Sequence, residues 1–181
     1  MFQTARSILK RDPAAHNLLE VILTYPGLRA LFWYRIAHFL VMRRFFTLAS
    51  LISQHAAHVT GISIAPEAQI GKRVFIDHGI GVVIGATAIV EDDVTILHGV
   101  TLGARKLAGG IRHPRVEHGA FIGANAQILG NITIGAFSKV GAGAIVLADV
   151  PPKATAVGNP ARIVGTPGKK VIEVNFTKQK S

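Results

Sequence analysis

The sequence predicts a mainly β fold: a parallel β-helix of six-residue repeats behind a short N-terminal α-helical segment. Two observations carry this. From Ile64 onward aliphatic residues recur six apart, many followed by glycine or another small residue, whereas the first 59 residues place apolar residues at helical spacing.

In the N-terminal segment, Asp12-Pro13 is expected to start a helix, because Asp can cap free N–H groups and proline is tolerated in a first turn. Leu18, Leu19, Ile22 and Leu23 follow at helical spacing until Pro26-Gly27 interrupts them. A second helix is expected over Leu28 to Arg43 and a third from Phe45 to about His58, with Gly61 as the stop. The aromatic group Phe32, Trp33, Tyr34 and Phe39 reads as core or subunit contact.

The repeat then runs through Ile64, Ile70, Ile76; Ile84, Val90, Ile96, Leu102; and Val116, Ile122, Ile128, Ile134, Val140, Val146. A period of six suits neither an α-helix nor simple alternation. It suits a coil of three short strands with tight corners, each inward aliphatic stacking on the coil below. The rhythm slips twice: Ile76 to Ile84 is eight residues and surrounds Asp77-His78, and Leu102 to Val116 is fourteen and contains "GARKLAGGIRHPR". Such local departures are where functional sites are expected. The implied organisation is a helical segment at 1–59, a β-helix at 60–165 and a basic tail at 166–181.

Length and composition narrow the function classes. A chain of 181 residues suits one domain with a helical cap. The most apolar stretch, 18–34, contains Glu20, Pro26 and Arg29, so no membrane span is expected, and the early Arg6, Lys10, Arg11 and Asp12 argue against a signal peptide. With no cysteine there are no disulfides or thiolate metal sites, which suits a cytoplasmic location. The net charge of +10 attracts anions such as phosphorylated cofactors, but no nucleic-acid fold signature accompanies it, so neither a nucleic-acid nor a membrane partner is expected.

Seven stretches together resemble the serine acetyltransferases: "RDPAA" at 11–15, "DHGIGVVIG" at 77–85, "GVTLG" at 99–103, "RHP" at 112–114, "ILGNITIG" at 128–135, "KVGAGAIVL" at 139–147 and "GNPARIVG" at 158–165. The resemblance runs over residues 11–165. It implies a left-handed β-helix that forms trimers, with active sites between neighbouring subunits and acetyl-CoA as co-substrate, no metal being required. It further implies His78 as general base beside Asp77, serine-binding positions at Asp12, Asp77, Arg112 and His113, and cofactor-binding positions at Gly103, Ala104, Ala124, Lys139, Gly141 and Ala142.

The residue chemistry agrees with the family assignment. A zwitterionic acceptor needs anions for its ammonium and cations for its carboxylate; Asp12 and Asp77 supply the first, Arg112 and His113 the second. A serine hydroxyl is a weak nucleophile, so an imidazole must take its proton during attack on the thioester. On residue type alone each candidate keeps a plainer reading: Asp12 a helix cap, Arg112 and Lys139 solvated charges, His78 a structural histidine.

Three features depart from the family pattern. The family carries a carboxylate fifteen residues before the catalytic histidine, where this chain has Ser63 within Ser63-Ile64-Ala65-Pro66, and Glu67 is a possible substitute. Serine can hold a ring tautomer but cannot offset an imidazolium charge. This opens two alternatives, an acceptor pocket wide enough for homoserine and a weakly active relative with a binding role. The loop at "TLGARK" differs as well: either Arg105 and Lys106 meet cofactor phosphates, or the loop is reshaped around another acceptor. Finally, the chain ends in Gln179-Lys180-Ser181 without the isoleucine that a cysteine-synthase partner reads, so that complex is not expected, and the short helical segment favours a trimer over a hexamer. A zinc reading, with His78, His113 and His118 as ligands like those of γ-type carbonic anhydrases, lacks the other elements of that family.

Overall fold

A computed structural model describes residues 1–106 and 109–164. Four helices come first: α1 (Phe2–Arg11), α2 (Leu18–Thr24), α3 (Pro26–Met42) and α4 (Phe46–Thr60). Asp12 does not start a helix as expected; it C-caps α1 in extended conformation. The cap of the next helix is Asn17, whose side chain accepts from the Glu20 N–H at 2.9 Å, so the four residues between are a non-helical connection rather than a first helical turn. Pro26 occupies the first turn of α3, where its missing N–H has no consequence, and Gly61 ends α4 in the left-handed region at φ 71°.

The strands then wind in coils of three: β1 (Ser63–Ile64), β2 (Gln69–Ile70), β3 (Phe75–Ile76); β4 (Val83–Ile84), β5 (Ile89–Val90), β6 (Thr95–Ile96); β7 (Thr101–Gly103), β8 (Arg115–Val116), β9 (Phe121–Ile122); β10 (Gln127–Leu129), β11 (Thr133–Ile134), β12 (Lys139–Val140). A last coil holds β13 (Ile145–Val146) and β14 (Thr155–Val157), and β15 (Arg162–Ile163) folds back antiparallel on β14. Stacking these coils makes three parallel sheets, the faces of a left-handed triangular prism: face A is β1-β4-β7-β10-β13, face B β11-β8-β5-β2, and face C β14-β12-β9-β6-β3 with β15 at its end.

All thirteen repeat aliphatics are buried, Ile64 and Ile70 least completely at 5% and 6% exposure. A second inner row lies two residues before each: Ala68, Val74, Val82, Ala88, Val94, Val100, Ala120, Ala126 and Ala144 are buried among them. Small residues there let the corners close, while the branched aliphatics fill the interior.

The first coil would present a row of unpaired carbonyls at the end of the prism, and the helices cap that edge. Ser53 Oγ donates to the Ile64 carbonyl at 2.7 Å, His38 Nδ1 to Pro66 at 2.7 Å, Tyr34 Oη to Ala68 at 2.5 Å and Arg35 to Gly71 at 2.5 Å. Arg11 continues the row, donating to the carbonyls of Arg73 and, at 3.1 Å, Asp93, and at 3.2 Å to Thr95 Oγ1. Of the expected aromatic group, Tyr34 is buried in this junction, whereas Phe32 and Phe39 lie 48% and 56% exposed on the outer side of α3.

Candidate active site

Asp77 and His78 occupy the corner where the chain passes from face C to face A. The two extra residues of the eight-residue step build a tight turn there: the Gly79 N–H donates to the Asp77 carbonyl at 2.6 Å, and Ile80 N–H to the His78 carbonyl at 3.0 Å. Arg73, Asp93, Asn125, Phe137 and Lys153 take left-handed φ three residues after an inward aliphatic, a position Gly79 fills here at φ 71°; His78, at φ 53°, is an additional left-handed residue, and its side chain is turned outward. The His78 imidazole is 80% exposed, its Nε2 3.9 Å from Asp77 Oδ1, and its ring meets the edge of His98, one coil below, at 6.3 Å between centroids.

Asp12 reaches this corner from the turn after α1. Its neighbour Arg11 is clamped to the first two coils, which fixes where Asp12 can lie. Asp12, Ala14, Glu20, Thr24, Tyr25, Pro26, Asp77 and His78 line one cleft of about 330 Å³. Three of these are carboxylates, and no lysine or arginine lines it, so the cleft favours a cation such as an ammonium group.

Arg112 and His113 lie elsewhere, at the corner between faces A and B where the excursion returns to the coil. His113 is 8% exposed. Two N–H groups, those of Arg112 and His113, donate to Thr87 Oγ1 at 3.0 and 3.1 Å, so the Thr87 hydroxyl turns its own proton to His113 Nδ1 at 2.8 Å. The Thr87 N–H reaches the same Nδ1 at 3.2 Å. Nδ1 is therefore an acceptor, and the neutral ring carries its proton on Nε2. Burial, and then the charge of Arg112, pushes the His113 imidazole below its ordinary value, keeping it neutral. Its Nε2 edge packs over Gly85, where a Cβ would fall 2.0 Å from that nitrogen.

Apart from Lys139, the expected cofactor residues divide between the same two corners. Ala124, Gly141 and Ala142 belong to the His78 corner, two and three coils further on, joined to it by a ladder: Gly99 N–H to the Ile80 carbonyl, Asn125 to His98, and Gly143 to Ala124, at 2.8 to 2.9 Å. Lys139 stands exposed on face C in β12. Gly103 and Ala104 lead into the A–B corner, where Arg105, Lys106, Arg112, Asn131 and the apolar Ile111 and Leu129 line a second cleft of about 270 Å³. Within one chain, then, the anionic and cationic halves of the expected site flank opposite edges of face A.

Ser63 lies exposed on β1, paired with Val83, and makes no hydrogen bond to the His78 ring; Glu67 sits at the A–B corner and does not replace it. His78, His113 and His118 occupy three different corners. Sequence reasoning missed Tyr25, missed Glu20 except as a charge interrupting the apolar stretch, and missed Thr87, whose place beside His113 depends on coil stacking across 26 residues. The tail at 166–181 lies outside the described residues. No described helix is long and apolar enough to cross a membrane.

The bacterial transferase hexapeptide (six repeats) family matches residues 113–148. The serine acetyltransferase of Bacillus subtilis (strain 168) is 52% identical over 165 residues, spanning 91% of this chain and 76% of that protein. A serine acetyltransferase in complex with coenzyme A from Brucella abortus strain S19 superposes with TM-score 0.89 at 40% identity, covering 92% of this chain and 67% of that one. Soybean serine acetyltransferase complexed with serine superposes with TM-score 0.87 at 47% identity, covering 90% and 67%. With this identity extending over helices and β-helix alike, the chain belongs to the serine acetyltransferases, acyltransferases that use acetyl-CoA to acetylate the serine hydroxyl.

Proposed function

We propose that this chain acetylates L-serine in a site shared between neighbouring subunits of a homotrimer, with His78 as general base. The observation that carries the reading is the division of the site: Asp12, Asp77 and His78 line one edge of face A, and Arg112 and His113 the other. A zwitterion of serine's size cannot reach both edges of one prism. Two prisms packed about a threefold axis can bring one subunit's C–A corner against its neighbour's A–B corner.

In such a cleft the ammonium meets Asp12 and Asp77, and the carboxylate meets the Arg112 guanidinium and the His113 Nε2–H, which the Thr87 contact leaves free to donate. This fixes the acceptor hydroxyl at His78. The imidazole takes the hydroxyl proton as oxygen bonds to the thioester carbonyl carbon; the tetrahedral intermediate then expels the thiolate, which receives that proton. Acetyl-CoA extends along the ladder past Ala124, Gly141 and Ala142, with Gly103 and Ala104 of the neighbour opposite, and Arg105, Lys106 and Lys139 available to its phosphates. The serine and coenzyme A complexes of the soybean and Brucella relatives support this assignment of ligands. A cytoplasmic location, where acetyl-CoA and serine are both present, goes with this reading.

Subunit mixing tests it. His78→Ala and Arg112→Ala homotrimers should each lose at least about a hundredfold in kcat/KM. Denatured together and refolded at equal amounts, they should regain about a quarter of wild-type activity, because a shared site is intact when each of its two donors is intact. No recovery would place both halves of the working site in one subunit and overturn the shared-site reading.

A further inference from the structure

Tyr25 is the one neutral hydroxyl pinned to the carboxylates of the His78 cleft, and nothing in the reading above uses it. Its Oη donates to Asp12 Oδ2 at 2.6 Å, while Asp12 Oδ1 accepts the Ala14 N–H at 2.8 Å. Both oxygens of Asp12 are thus held, each with a lone pair to spare. Tyr25 is itself fixed on two sides. It precedes Pro26 at the start of α3, and its ring lies 6.5 Å from that of Phe75, the buried residue two before Asp77. Burial first, then the bond to Asp12, then the charges of Asp12, Glu20 and Asp77 push the phenol up to about 12. It therefore stays a donor through the physiological range, and its oxygen keeps acceptor capacity beside Asp77 and His78.

We propose that Tyr25 is a positioning residue for the acceptor's amine: by holding Asp12 Oδ2 it sets Asp12 and Asp77 to receive one ammonium group, so that the site selects hydroxyl compounds bearing an α-amine. This rests on the cleft being the acceptor site. A free Asp12 side chain would swing between rotamers and offer its charge to solvent; the phenol and the Ala14 N–H remove that freedom before the substrate arrives. Glu20 adds negative potential but is drawn toward the His16 side, where its carboxylate accepts the His16 N–H at 3.0 Å, so the geometric control lies with Tyr25.

Tyr25→Phe keeps the ring against Phe75 and removes only the hydroxyl. Thiol release would be measured on the full chain with saturating acetyl-CoA, using L-serine and 3-hydroxypropionate, which is serine without its amine. L-Serine binding would be measured in parallel by calorimetry without acetyl-CoA. For L-serine the variant should show KM raised about tenfold with kcat within about twofold, as expected for losing one charge-assisted contact. For 3-hydroxypropionate the two proteins should have equal, low rates. An unchanged KM for L-serine, or the same loss with both acceptors, would overturn the proposal, since a merely structural role affects both alike. If the wild type turns over no serine, the transfer reading fails. Calorimetry then judges Tyr25 separately: binding about tenfold weaker in the variant supports it, and equal or absent binding overturns it.

Discussion

Gly27 lies against the backbone of Ile76 so closely that a Cβ on it would fall 2.0 Å from the Ile76 carbonyl oxygen. Ile76 immediately precedes Asp77-His78, so the start of α3 is seated directly on the strand that presents the His78 corner. The contact sets the depth of the cleft between Tyr25 and His78. It also explains why Pro26-Gly27 interrupts the apolar run: proline begins the helix and glycine lets it touch the β-helix.

Gly27→Ala should therefore cost stability although alanine is the better helix former. The propensity gain of about 1 kcal/mol is smaller than the cost of forcing a methyl group into backbone, about 3 kcal/mol. Chemical denaturation should show a net loss of about 2 kcal/mol, and KM for serine should rise as the helix is displaced from Ile76.

Thr87 is expected to control His113. Thr87→Val removes the hydroxyl that accepts from the Arg112 and His113 N–H groups and donates to Nδ1, so it should raise KM for serine about tenfold and lower stability by about 1 to 3 kcal/mol. Thr87→Ser, which keeps the hydroxyl, should restore most of both. Steady-state kinetics with thermal denaturation of the two variants separates the hydroxyl from the methyl group.

The burial of His113 beside Arg112 predicts a pH dependence. Burial and Arg112 depress the folded-state value of His113 below the ordinary value of about 6.5. Above that pH both folded and unfolded chains hold it neutral. As pH falls below about 6.5 the unfolded chain binds the proton first, so stability falls until the pH passes the folded-state value. His113→Gln should flatten the stability curve in that window, measured by denaturant midpoints from pH 7.5 downward.

Ser138 is fully buried with no hydrogen-bond partner for its Oγ among the described residues. Its equivalents in the coils above and below are the buried Ala120 and Ala154. Ser138→Ala should accordingly raise stability by about 1 kcal/mol, read as a higher melting temperature with unchanged kinetics.

The amino-acid sequence by itself determined the repeat. Six-residue spacing of Ile64 to Val146 is a one-dimensional rule, each coil touching mainly its neighbours, and every one of the thirteen positions is inward. It likewise marked Asp77-His78 and Arg112-His113, because insertions that break a strict period are visible without coordinates. Helix ends were less legible: Asp12 looked like a helix start but ends α1, since its pairing with Tyr25 joins residues thirteen apart around a turn that local propensity does not specify. Only the tertiary structure decided which candidates share a cleft. Corner membership depends on accumulated coil length, so it sends His78 and His113 to opposite edges of face A and brings Tyr25 and Thr87 to each. Packing and desolvation between distant segments, which no window of sequence contains, set the charge, tautomer and reach of these groups.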